Sequence, residues 1–375
     1  MSTRLIRTIR WFSIALFFAT LFQWLALPVQ LDPVAVAPIP AWRVDSRAHR
    51  YQWLGGWAGI GLATTVVDVL SGTTYTFPSN VGSVTTIEII AAGANGGVSG
   101  ANGGNGGAYS ILNTPSYTAS QTVNINVGTA ANGQDTWFDG TTLANSAVGA
   151  QSGTNGGSSA SGKGTTKYSG GVGGTSMSYS TEHGGGGGGG SGAPSGSGRA
   201  GGTGSISLSA DGGGGGGGAG ASSATAGGNG SQSAGGNGGT AQDGTAGGSG
   251  DTTGISPGGN GSHGSGGGAG YYYDGNSSNG GQGGNGIEWT LTAGGTVGGG
   301  GGGGGTTYVI GTSTANGGNA GAYGGGGGAG YTGGTGGASI IVITYVKSSG
   351  SVIWDAANFA VLGVVVSHLW DAVNV

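Results

Sequence analysis

His183-GGGGGGG-Ser191 holds seven consecutive glycines, Gly184 to Gly190, and its reading decides the fold. Two similar runs follow, Gly212 to Gly218 and Gly298 to Gly305. Glycine loses more conformational freedom on ordering than any other residue. Such a run is therefore a tether, or a place where the absence of side chains is the useful property. Glycine runs make poor α-helix and poor sheet interior. The extended, left-handed threefold helix of polyproline-II type remains, at about 3.1 Å per residue, so seven residues span roughly 22 Å. That helix has no internal hydrogen bonds, and every N–H and C=O needs an outside partner. Bare neighbours can approach and bond backbone to backbone, which offsets the entropic cost cooperatively.

The flanks favour structure over tether. TTYTF (73–77) ends at Pro78, and VTTIEII (84–90) alternates Ile87 and Ile89 with Thr86 and Glu88. QTVNINVG (121–128) sets Val123, Ile125 and Val127 against Asn124 and Asn126, and ASIIVITYV (338–346) is a β-branched apolar run. A sheet pairing the first and last of these strands would staple both ends of the glycine region to one platform. A loop that long without structure of its own would be anomalous in a compact domain. The punctuation within the region, as in GGNGG, GGNGGT, GGAGY and GGTGG, reads as chain reversal, because Asn tolerates left-handed and turn conformations. On this reading the glycine runs are interior, and Tyr271, Tyr272, Tyr273 and Tyr323 are at the surface.

Composition excludes several classes. The chain has 375 residues, 100 of them glycine, eight prolines and no Gly-X-Y period, so it is not collagen. Net charge is only −4, and nine Trp and thirteen Tyr are scattered through it, unlike a highly charged disordered coil. No basic stripe is present to meet nucleic-acid phosphates. The absence of cysteine excludes a disulfide framework and thiolate metal sites.

Four segments follow. Residues 1–39 place Arg4, Arg7 and Arg10 before an uncharged apolar stretch, Trp11 to Val29. This order fits a secretory signal or a membrane anchor through residues 11–29, and also a helix packed within an assembly. Residues 40–72 form an Arg/Trp-rich connector. Arg43, Arg47 and Arg50 fall near one helical face and, with Trp53, suit docking, while a solvated basic face is the plainer alternative. Residues 73–347 are the glycine-rich domain. Residues 348–375 repeat Trp354-Asp355-Ala356 as Trp370-Asp371-Ala372 around the apolar AVLGVVV. This segment reads as an assembly element, or as a strand pair completing the body's own sheet.

The frame TTYTFPSNVGSVTTIEIIAAGANGG, then TVNINVG, TWFDGTTLANSAVGA, the glycine runs and GGASIIVITYV resembles the glycine-rich domain of phage tail and other virion proteins. The resemblance covers residues 73–347. It implies a mainly β fold, with a small β-sandwich base and, in relatives that act as adhesins, packed polyglycine helices whose connecting loops touch the host surface. In this sequence an apolar N-terminal helix would precede that fold.

Catalytic chemistry finds little footing. GSSASGKG (157–164) matches a phosphate-binding loop up to Lys163, but Gly164 stands where a Ser or Thr hydroxyl is needed. His49, His183, His263 and His368 form no ligand-spaced pair. Most of the body lacks the side chains to wall a pocket. Together with the resemblance, the expectation is a non-enzymatic virion protein without metal or cofactor, associating with itself as a homo-oligomer and with other virion proteins, and meeting a host cell-surface receptor. Its receptor-binding candidates are Tyr168, Tyr179, Tyr271, Tyr272, Tyr273, Tyr323 and Tyr331, since tyrosine gives large amphipathic contact at low entropic cost. The alternative is a membrane-anchored, extracellular-facing protein assembling into a coat or filament. Ice binding by a flat array of such helices is a third reading, disfavoured by the irregular glycine spacing.

Overall fold

The computed structural model describes residues 42–43, 64–98, 101–179, 182–206, 210–220, 223–240, 247–252, 257–262, 264–273, 276–277, 279–283, 299–308 and 315–348. The apolar stretch 11–29, Arg47, Arg50, Trp53, Trp354 and Trp370 lie outside them. No helix among the described residues is long and apolar enough to cross a membrane.

The fold is mainly β. Its strands are β1 (Trp42–Arg43), β2 (Thr64–Val69), β3 (Thr74–Thr76), β4 (Val81–Ile90), β5 (Tyr109–Asn113), β6 (Thr122–Asn126), β7 (Thr136–Phe138) and β8 (Val148–Ala150). They continue with β9 (Thr166–Tyr168), β10 (Met177–Tyr179), β11 (Glu182–Gly184), β12 (Ala210–Gly212), β13 (Tyr271–Tyr273), β14 (Asn276–Ser277), β15 (Thr306–Tyr308) and β16 (Ile340–Lys347). One antiparallel sheet has the order β1-β2-β16-β4-β5-β9, and a second the order β3-β6-β7-β8. The closing strand β16 pairs with β4 from Ile340↔Ile90 to Lys347↔Val81, which joins the two ends of the glycine region.

Period-2 alternation sends Ile87, Ile89, Ile341, Ile343 and Tyr345 of the first sheet and Val123, Ile125, Phe138 and Val148 of the second into one shared core. Phe138 lies at its centre, fully buried. The rings of Tyr75, Phe77 and Tyr117 surround it, with centroids at 5.9, 6.0 and 5.6 Å.

Ahead of the glycine-rich domain, two features differ from the sequence expectation. Trp42–Arg43 pairs as a strand with Val69 and Asp68, where the arginine spacing predicts a helix. Thr64–Val69, inside the stretch read as a connector, adds a strand beside β16. Its composition, TTVVDV, is β-branched, and pairing to a long neighbour outweighs its position before the repeat region.

Between the strands the glycine runs bond to one another with threefold regularity. In run 184–193, the N–H groups of Gly185, Gly188 and Ser191 donate to the carbonyls of Gly305, Gly302 and Gly299 at 2.9, 2.7 and 3.0 Å. Those of Gly187 and Gly190 donate to Gly202 and Arg199, and those of Gly189 and Gly192 to Gly104 and Gly107. Its carbonyls accept in three further directions, from Gly214 and Gly217, from Gly171 and Gly174, and from Gly326 and Ala329. Each third residue thus returns to the same neighbour, and the run has neighbours on six sides. Runs 184–193, 212–220, 264–270, 299–305 and 324–330 are buried throughout, so nothing larger than a hydrogen faces most of their neighbours.

Outer runs keep the period and reveal it in burial. Along 332–338, Thr332, Thr335 and Ala338 are exposed while Gly334 and Gly337 are buried. This accounts for the spelling GGTGGA: glycine faces the lattice and the third residue faces water.

Asparagine plays a different part from the turn role its propensity predicts. Within the outer runs its side-chain carbonyl accepts a backbone N–H from the next run. Asn316 Oδ1 accepts from Thr332, while the N–H of the following Gly317 donates back to the Thr332 carbonyl at 2.9 Å. Asn229 and Gly230 engage Thr203 in this way, Asn260 and Gly261 engage Gln282, and Asn279 and Gly280 engage Asn316. Where the adjacent run is antiparallel the clamp spans two residues further apart. Asn95–Gly96 closes on Gly336 and Gly334, Asn102–Gly103 on Ser176 and Gly174, Asn105–Gly106 on Gly173 and Gly171, and Asn237–Gly238 on Gly250 and Gly248. At the rim no further run among the described residues accepts these N–H groups, and the carboxamide takes the place of a peptide carbonyl.

Candidate recognition surface

The runs have two ends, fixed by how they register. At one level Gly107 bonds to Gly324, Ser191 to Gly299, Gly220 to Ser191 and Ala219 to Gly264. This is the sheet end, because run 102–108 leads directly into β5 and run 332–338 into β16. At the other level Gly185 bonds to Gly305, Gly213 to Gly270, Gly270 to Gly304 and Gly330 to Gly97. There, the glycine lattice stops and side chains return.

Two three-stranded ribbons occupy this distal end. The first has the order β10-β11-β15, with Tyr179 opposite Glu182 and Glu182 opposite Tyr308. The second has the order β12-β13-β14, with Asp211 opposite Tyr272 and Ala210 opposite Tyr273. The ribbons lie side by side, β11 against β12 and β13 against β15. The turn between runs 324–330 and 332–338 adds Tyr331, 51% exposed, its N–H held by the Ala315 carbonyl at 2.8 Å. Exposed Val98 and Met177 lie at the same end.

The structure therefore brings together the backbones of Tyr179, Tyr271, Tyr272, Tyr273 and Tyr331. It places Tyr168 and Tyr323 at the opposite end, half-buried against a cluster of Ile90, Tyr109, Ala193, Ile340 and Val342. Tyr168 stacks on Tyr109 with centroids 6.1 Å apart. The Tyr109 hydroxyl donates to Glu88 Oε1 at 2.8 Å. Burial first, and then the Glu88 carboxylate, push that phenol far above its ordinary range. Arg43 lies on β1, at the edge of the sheet.

Sequence reasoning missed Tyr308. Its signal was present, since Gly305-Thr306-Thr307-Tyr308 leaves a glycine run for β-favouring residues just as Gly270-Tyr271 does. Asn279, Gln282, Asn316, Asn319 and Thr332, with intervening glycines, line a shallow groove of about 340 Å³. Among the described residues no group of three His, Asp or Glu is placed to hold a metal ion. No protein-family model matches the sequence, and no curated protein matches it.

Proposed function

We propose that the chain is a structural protein of a phage virion, a tail fibre or spike component whose glycine-rich module recognises the host surface. In this reading the two sheets are a small β-sandwich base. The glycine runs are stacked polyglycine-II helices standing on it, and an apolar helix from residues 1–39 precedes them. One observation carries the reading: the tyrosine-bearing ribbons gather at the end of the lattice away from the sheets. The strand β16 ends at Lys347, at the other end of the sheet from the lattice. That separation suits attachment at one end, to copies of itself and other virion proteins, and contact with a host receptor at the other.

The test is adsorption by virions carrying Tyr271→Ala, Tyr272→Ala and Tyr273→Ala together. A tip built on these residues loses tenfold or more in adsorption, about the scale of an interface hot spot. Unchanged adsorption, with the glycine amides still protected from exchange, rejects it. The uncharged Trp11–Val29 stretch behind three arginines favours a second reading, a membrane-anchored glycine-rich surface protein forming a coat or filament. Recovery in purified virions selects the first, and recovery in a cell membrane fraction the second.

A further inference from the structure

Asn–Gly is the dipeptide at which asparagine deamidates most readily, because glycine puts no side chain in the path of attack. The backbone nitrogen of the glycine, after losing its proton, attacks the asparagine Cγ. The Cγ–Nδ2 bond breaks, ammonia leaves, and a succinimide forms. Water then opens either of its carbonyls to give aspartate or isoaspartate. Both reacting groups must be free to meet.

In the lattice neither is. At Asn95, Asn102, Asn105, Asn229, Asn237, Asn260, Asn279 and Asn316 the following glycine N–H is bonded across to a neighbouring run, at distances from 2.7 to 3.0 Å. The carboxamide oxygen of the same asparagine is held by an N–H of that same run. We infer that these eight pairs are latent deamidation sites, kept unreactive by the clamp and released when an edge of the lattice opens. The consequence of release is asymmetric. Aspartate keeps a side-chain oxygen that can accept the old bond. Isoaspartate routes the main chain through the side-chain carbon, lengthens it by one atom and destroys the three-residue register beyond that point. A chain that has once opened is thereby marked and prevented from closing.

The protein contains its own controls. Asn132–Gly133 lies in a surface loop, where the glycine N–H donates to Thr129 and the carboxamide oxygen accepts from Thr129 and Gln134, all within that loop. Asn155 ends a 3-10 turn, Gly153–Asn155; the Gly156 N–H donates to Gly153, and the Asn155 side-chain amide donates to Gly133 and Asp135, outside the glycine lattice. Asn319 is clamped onto Thr335 like the others but is followed by Ala320, whose methyl group hinders attack.

The experiment incubates the full chain in mildly alkaline buffer, folded and in denaturing urea, and quantifies isoaspartate site by site by peptide mass spectrometry. In urea the eight lattice pairs, Asn132 and Asn155 react at similar rates, with Asn319 slower. Folded, the lattice pairs slow by about 100-fold or more, whereas Asn132 slows by less than about tenfold, because loop opening costs little. Lattice pairs that react in the folded chain within about tenfold of their rate in urea overturn the inference. So does a denatured chain in which Asn–Gly reacts no faster than Asn319–Ala320.

Discussion

Replacing Gly188 with alanine tests whether the interior of the lattice depends on bare backbone. Gly188 lies midway along run 184–193, and a Cβ there would stand 2.5 Å from the carbonyl carbon of Gly326 and closer still to its oxygen. Carbon atoms pack at about 3.5–4.0 Å, so the two runs must part by about 1–1.5 Å. Two bonds join them nearby, from Gly326 N–H to Gly189 and from Ala329 N–H to Gly186, at 2.7 and 2.8 Å. Stretching both beyond bonding distance leaves two N–H and two C=O groups buried and unpaired, at about 1–3 kcal/mol each, or about 4–12 kcal/mol for the pair of bonds. The restriction of the unfolded chain by alanine returns at most about 1 kcal/mol. Gly228 supplies the contrast. It is exposed on an outer run, and its nearest obstacle to a Cβ is the Asn237 nitrogen at 3.2 Å. Gly228→Ala is expected to change stability by about 0.5 kcal/mol or less. Urea unfolding of the two variants beside the parent chain, with amide exchange across Gly184–Gly190, measures the difference. A Gly188→Ala protein as stable as Gly228→Ala, with those amides still protected, refutes the close-packed interior.

Two further outcomes concern the base. Phe138→Ala should cost about 3–5 kcal/mol, since the side chain is fully buried among three other rings and leaves a cavity; urea unfolding followed by tyrosine fluorescence reads it. The phenols of Tyr75, Tyr109 and Tyr117 are held neutral, chiefly by burial, with folded-state pKa values raised above the ordinary 10.0. The stability they contribute is complete below about pH 10 and falls as pH rises beyond it, because only the unfolded chain then releases the protons. Denaturation midpoints that stay level from neutral pH to well above 10 would contradict this.

Much of the frame was legible in the sequence, and the reason is periodicity. The alternation in VTTIEII and the β-branched run SIIVITYV identify β4 and β16, and the glycine runs announce segments that cannot pack by side chains. The role of asparagine was not legible from propensity. Asn105 and Asn237 occur in the same GGN setting as a turn residue would, and only a neighbouring run shows that the carboxamide replaces a peptide carbonyl. Nor could sequence tell which end of a run a tyrosine would occupy. Tyr323 and Tyr331 are eight positions apart in one glycine-rich stretch, yet run 324–330 carries them to opposite ends of the lattice. Direction along a run depends on how many reversals precede it, which is a property of the whole topology. Trp42–Arg43 was misread for a related reason, because arginines spaced for a helix carry no record of the strand edge they meet.

An oily core ties each substitution to its neighbours through shape, so that surface and interior evolve under a shared constraint. The five buried runs here have almost no shapes to match. Their registry is written in a repeating peptide unit that is indifferent to what the chain does at either extremity. Loops at the far end can be exchanged, lengthened or rewritten without any compensating change beneath them, and a further pair of runs can be laid against the rim wherever asparagine now closes it.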